Sequence, residues 1–173
     1  MQLLNRYKKT IEALSKGHRF QEIVSDELSL ELHQQLSIDA KYLNEALCVL
    51  QNTSSFLPQL EPHLLSLLKQ ASDSDLVIHA LNASRKHIIE AKQRDGQRLD
   101  FEFLDLLKKL LQHKNWEVKE WVVRTIDECG SQALFFKEDL KSIYPSKMGM
   151  ITNQHKRHIR GIIDLMTISG RGI

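Results

Sequence analysis

Proline and glycine are rare in this chain, three and seven among 173 residues, and charges of both signs run throughout it. Those scarcities exclude a collagen-like or low-complexity disordered segment and leave a folded chain as the expectation. Cysteine is rarer still. Cys48 and Cys129 stand far apart without a paired spacing, which supplies no disulfide framework and suits a reducing compartment. Long apolar runs are missing too, since none approaches the roughly 18 residues that a membrane span requires. The opening Met1-Gln2-Leu3-Leu4-Asn5-Arg6-Tyr7-Lys8-Lys9 becomes charged where the apolar region of a secretory leader should begin. The expectation is a cytoplasmic chain with no membrane partner.

The motifs of the common enzyme classes are also absent. There is no Gly-x-x-x-x-Gly-Lys-Ser/Thr phosphate loop, no Gly-x-Gly-x-x-Gly fingerprint, no His-Glu-x-x-His and no Gly-x-Ser-x-Gly elbow. The reading is therefore non-enzymatic, with no catalytic residues and no cofactor assigned.

What remains is 42% apolar and 27% charged, the composition of a soluble globular protein. At this length roughly 70% of the surface of the unfolded chain can be buried without help from a metal or disulfide. The formal net charge of +2 is unevenly placed: residues 1–20 sum to +4, residues 21–80 to −7, and residues 131–173 to +4. A uniformly basic nucleic-acid binder has a different profile.

Leucines recur in threes and fours, the spacing of a helical stripe, and no segment alternates as a strand does. The pattern predicts helices over 2–16, 20–36, 39–51, about 60–68, 74–93, 100–111, 116–129, 133–143 and 152–168. Gly17 and Gly130 stand where a left-handed cap ends a helix, and Ser72, Asp100 and Asn115 stand where a side chain can cap a helix start. Tyr144-Pro145-Ser146-Lys147-Met148-Gly149 reads as a separator.

Shifting the chain by 42 residues lays Leu64-Leu65 on Leu106-Leu107, Leu68 on Leu110, Asp75 on Glu117, Leu76 on Val118 and Ala80-Leu81 on Val122-Val123. Two-helix repeats of about 40–47 residues build solenoids, in which each hairpin covers the apolar face of its neighbour. On these residues, and best in Asn115-Trp116-Glu117-Val118-Lys119 followed by Val122-Val123, Ile126 and Gly130, the chain resembles the HEAT family of armadillo-type helical repeats. In the earlier copy Val77 stands where the family usually has a basic residue. The resemblance implies an all-α fold, a short right-handed solenoid of antiparallel helix pairs, with an irregular helical bundle as the alternative. Residues 1–58 then form an N-terminal helical cap or divergent repeat, and residues 59–173 carry repeats over about 59–96, 99–130 and 131–168.

His155 and His158, three apart on one helix, lack further ligands at fixed spacing, so no metal site is read from them. His155 and His87 read as packed or boundary histidines, and the two cysteines as buried, inert thiols. Trp116 reads as a turn-packing residue and Trp121 as an edge aromatic beside Arg124. The expected inner helices differ in sign: 74–93 turns out Asn82, Arg85 and Lys92, with Ile78 and Ile89 apolar among them, 152–168 turns out Lys156, Arg157 and Arg160, and both faces are basic. Between them 116–129 turns out Glu117, Glu120, Arg124, Asp127 and Glu128. HEAT-like arrays are mostly protein-binding scaffolds, so the resemblance implies a partner peptide or helix bound on the inner face through Arg85, Lys92, Trp121, Arg124, Arg157 and Arg160. The second reading is nucleic-acid handling, because DNA alkylation-repair glycosylases also resemble HEAT arrays. The acids of the middle helix interrupt a phosphate track and weigh against it.

Overall fold

The leucine periodicity resolves into helices joined by short turns and loops; the computed structural model describes residues 2–18 and 23–169, and no strand occurs among them. No helix among them is long and apolar enough to cross a membrane. The chain divides into two compact units, Met1–Asp95 and Gly96–Ile173. Residues 1–58 share the first unit with the helices that follow them.

In the first unit, α1 (Gln2–Ser15) ends at Gly17, whose φ of 74° is the left-handed conformation a glycine adopts freely. The start of α1 is capped from a distance: Glu31 accepts the backbone N–H of Gln2 at 3.0 Å and of Leu3 at 2.8 Å. Two donors with no intrahelical partner are thereby satisfied. Glu31 belongs to α2 (Asp26–Gln35), which begins at Ser25. The expected start at Phe20 lies outside the described residues. Next come α3 (Leu43–Gln51) and α4 (Glu61–Gln70), the latter led in by a short 3₁₀ turn at Pro58–Leu60. α5 (Ser74–Ser84) follows, capped by Asp73, which accepts the N–H of Leu76 at 2.9 Å, and not by Ser72. α3 packs on α1 and α5, and α4 packs on α5.

The helix expected over 74–93 is not continuous. After α5 the chain widens into a π-helical segment, Arg85–Glu90, before closing with α6 (Ala91–Arg94). This segment ties down the irregular stretch after α3. The fully buried His87 accepts the N–H of Leu57 at Nδ1 (3.1 Å), and its Nε2 lies 3.0 Å from the carbonyl of Leu50. An Nδ1 that accepts leaves the proton on Nε2, so His87 is a neutral ring that donates to Leu50, and burial depresses its pKa to about 4. Lys86 adds a hydrogen bond to the carbonyl of Thr53.

In the second unit, α7 (Phe101–Leu110) turns Phe103, Leu104, Leu106, Leu107 and Leu110 inward. Asp100 occupies its N-cap position without accepting a first-turn N–H. α8 (Trp116–Glu128) starts at Asn115, which accepts the N–H of Glu117 at 2.9 Å, and buries Val118, Val122, Val123 and Ile126. Gly130, with φ 60°, turns the chain out of α8. The stretch expected as a helix over 133–143 is a 3₁₀ segment, Gly130–Phe136, followed by α9 (Lys137–Ser142). The separator after it contains a short helix of its own, α10 (Lys147–Thr152), capped by Ser146, and α11 (Gln154–Ile168) is capped by Asn153. α8 packs on α7 and most extensively on α11.

Each unit holds one thiol. Cys48 is half-buried and Cys129 buried, and burial raises both pKa values, that of Cys129 to about 12. Cys129 Sγ also donates to the carbonyl of Thr125 at 3.3 Å.

Candidate functional site

Asn115 fixes where α8 begins, which places Trp116 and Lys119 one helical turn apart on neighbouring positions of its surface. Lys119 Nζ stands 4.7 Å from the centroid of the Trp116 ring, and Lys156 Nζ, from the first turn of α11, stands 4.4 Å from the same centroid. Two cations thus share one aromatic ring, each within cation–π range, a contact worth about 0.5–2 kcal/mol depending on desolvation. Among the described residues neither ammonium has a carboxylate within ion-pair distance. Burial, with Lys156 adding like-charge repulsion, lowers the pKa of Lys119. An open cleft of about 470 Å³ lies beside them, lined also by Gln112, Ser142, Ile143, Tyr144, Pro145 and Ser146.

The Tyr144 wall is held from outside the cleft. Its hydroxyl donates to Asp164 Oδ1 at 2.5 Å, and that bond raises its pKa. Arg160 lies 4.7 Å from the Tyr144 centroid, donates to the carbonyl of Pro145 at 3.1 Å, and approaches Asp164 Oδ2 at 3.8 Å. Tyr144 therefore offers the cleft a ring, and Arg160 braces that ring and the Pro145 backbone.

One residue beyond Lys119, Glu120 is 5% exposed, not turned outward as its place on a helical wheel suggests. Its Oε1 accepts from Arg124 Nη2 at 2.6 Å and from His158 Nδ1 at 3.0 Å, and its Oε2 accepts from His155 Nδ1 at 2.8 Å. Burial pushes the Glu120 pKa upward, but the Arg124 and His155 hydrogen bonds and the charges around it outweigh burial and hold it below its ordinary value. An ionised carboxylate only accepts, so both imidazoles donate from Nδ1. The cluster fastens α11 to α8 and thereby carries Lys156 to Trp116. Among the described residues no group of three or more His, Cys, Asp or Glu side chains is placed to hold a metal ion.

The six contact residues expected from sequence fall into separate settings. Arg85 and Lys92 belong to the first unit. Arg85 donates to Asn82 at 3.3 Å, and Lys92 pairs with Glu61 at 3.0 Å with both side chains largely buried. Trp121 and Arg124 do meet, with the guanidinium 5.5 Å from the ring centroid, yet Arg124 is also bound to Glu120. Arg157 is exposed and donates to the carbonyl of Met150 at 3.3 Å, and only Arg160 of the six touches the wall of the cleft. The reading from sequence made Trp116 a turn-packing residue, placed Lys156 on the basic face of the last helix, and left both, with Lys119, out of the contact set. The spacing of Trp116 and Lys119 was a usable signal; the arrival of Lys156 depends on packing between α8 and α11.

Comparison of the chain with family models, with curated proteins and with solved structures finds no match.

Proposed function

We propose that the protein is a non-catalytic interaction module whose second unit receives an anionic segment of a partner protein in the cleft at Trp116. One observation carries this reading: Lys119 and Lys156 converge on a single ring in a concave, partly desolvated place with no carboxylate to neutralise them. Holding like charges together costs free energy that an arriving anion returns, so the cleft is preorganised for negative charge. Trp116, Tyr144 and Pro145 add apolar area for the stem that bears it. The exposed Arg157 and the pair Trp121–Arg124 serve as outer contacts, where charge chiefly sets the rate of encounter. The packing of α4 on α5 and of α7 on α8 supports HEAT-like units, and the capped turn at Asn115–Lys119 supports the same assignment. A short solenoid is accordingly the architecture we propose.

Fluorescence anisotropy with a labelled pool of degenerate acidic peptides, at about 0.15 M salt, tests the binding. Saturable binding is expected, and Lys119→Gln combined with Lys156→Gln should weaken it by at least about a hundredfold, from two charge-assisted contacts of about 1.5–3 kcal/mol each. Lys114→Gln, an exposed lysine outside the cleft, should leave it unchanged. Equal binding by wild type and the double variant sinks the proposal. Preferential binding of an oligonucleotide, with a steep salt slope, favours the nucleic-acid reading instead.

A further inference from the structure

We infer that the anion taken by this cleft is a phosphoryl dianion, presented on a phosphorylated side chain of the partner protein. This deepens the function proposed above and rests on it. The charge count leads to it. A single carboxylate arriving between Lys119 and Lys156 neutralises one ammonium and leaves the second in the same partly buried place. A phosphoryl group carries about −1.5 to −2 at pH 7 and matches both.

The hydrogen-bonding inventory points the same way. Of the hydroxyls on the wall, Ser142 donates to the carbonyl of Asp139 at 2.7 Å and Tyr144 donates to Asp164, so neither has a proton free for a ligand. Ser146 differs. Its Oγ accepts the N–H of Gly149 at 3.2 Å, which leaves its own O–H available. The Gln112 amide N–H and the two ammonium groups add further donors, which the three oxygens of a phosphoryl group engage more fully than the two of a carboxylate.

Gly149 draws two of these donors together. A Cβ built on it would stand 3.4 Å from Ser146 Oγ, 3.7 Å from Lys156 Nζ and 3.3 Å from Lys156 Cδ. The missing side chain is thus the space through which the Lys156 stem passes beside Ser146. A phosphorylated protein segment fits better than a nucleic-acid strand because the next cations along both helices are already engaged. Arg124 is bound to Glu120, Arg157 donates to the carbonyl of Met150, and Arg160 lies against Tyr144, Pro145 and Asp164. Two lysines without a carboxylate partner in one concavity seat one dianion, whereas a polyphosphate backbone draws affinity from a run of cations.

Trp121→Phe keeps an aromatic ring at the outer contact and makes Trp116 the sole indole of this chain, which has two tryptophans. Its emission can be titrated with a degenerate peptide pool carrying a central phosphoserine, with the same pool carrying serine or glutamate there, and with inorganic phosphate and acetate. The phosphoserine pool should bind about tenfold or more tightly than the glutamate pool, and phosphate should bind where acetate does not. Lys119→Gln and Lys156→Gln should each erase most of that preference. Gly149→Ala, which changes no charge, should weaken phosphoserine binding modestly by nudging the Lys156 stem that a Cβ would meet at 3.3 Å. Unchanged urea midpoints show that the variants remain folded. Equal affinity for the glutamate and phosphoserine pools overturns the phosphoryl assignment and leaves the module reading standing. Binding of inorganic phosphate without either peptide pool overturns the protein-borne source and the module reading together. An oligonucleotide whose affinity rises with length overturns both as well.

Discussion

Acidification from pH 7 to pH 4 removes about 3 kcal/mol from the stability of the unit spanning Met1–Asp95, through His87 alone. The folded ring has a pKa of about 4 and the unfolded one about 6.5. Between those values the unfolded chain binds a proton that the folded chain refuses, so stability falls as the pH falls. The contribution is complete above pH 6.5 and is lost through the window down to pH 4. The cause is geometric as well as dielectric. A protonated ring would set Nδ1–H against the N–H of Leu57, donor against donor, in a site with no solvent exposure. Urea unfolding followed by circular dichroism at several pH values checks this. Tryptophan emission serves as an internal reference, because Trp116 and Trp121 both lie in the second unit. His87→Gln should remove the His87 share of the pH slope between 6.5 and 4, leaving the part that carboxylates such as Glu31 contribute. An unaltered slope in that variant would remove His87 from the account.

Leu107→Ala destabilises the second unit by about 2–5 kcal/mol, the cost of the lost methyl groups together with the cavity they leave. Leu107 has no exposed surface, and Phe103, Val118, Val122 and Ile126 are equally enclosed, so the hole cannot fill with water or close cheaply. Lys109→Ala on the same helix should change stability by about 0.5 kcal/mol or less, because its pair with Asp105 is an exposed contact between positions four apart. Urea midpoints read from tryptophan emission report both. If the two variants cost the same, the inward face of α7 has been misassigned.

The helical class was legible because leucine spacing is a local signal that packing reinforces. So were the ends of α1 and α8, where Gly17 and Gly130 take the left-handed conformation and Asn115 caps. Val118, Val122, Ile126 and Cys129, spaced three or four apart along one face, are all buried. The π segment left no comparable trace. A wheel drawn at one pitch over 74–93 loses phase at Arg85, and so it turned Ile89 and Lys92 outward. Ile89 is fully buried and Lys92 is folded onto Glu61. α10 was hidden for a different reason: Pro145 and Gly149 look like breakers, while Ser146 between them caps a helix by accepting the N–H of Gly149. Glu120 was placed outside because its partners, His155 and His158, lie more than thirty residues away. The cleft shares that limitation, being half written in one helix and half brought to it by another.

The two thiols give the molecule a built-in pair of clocks. Cys129 holds its proton up to about pH 12 and is enclosed, so an alkylating reagent reaches a reactive thiolate there only when the second unit opens and the sulfur regains its ordinary acidity. Its rate of modification therefore counts the openings of that unit. Cys48, half-buried in the first unit, runs on a separate and faster scale. The native sequence can thus report which unit loosens first under acid, heat or an added ligand, with no probe engineered into it.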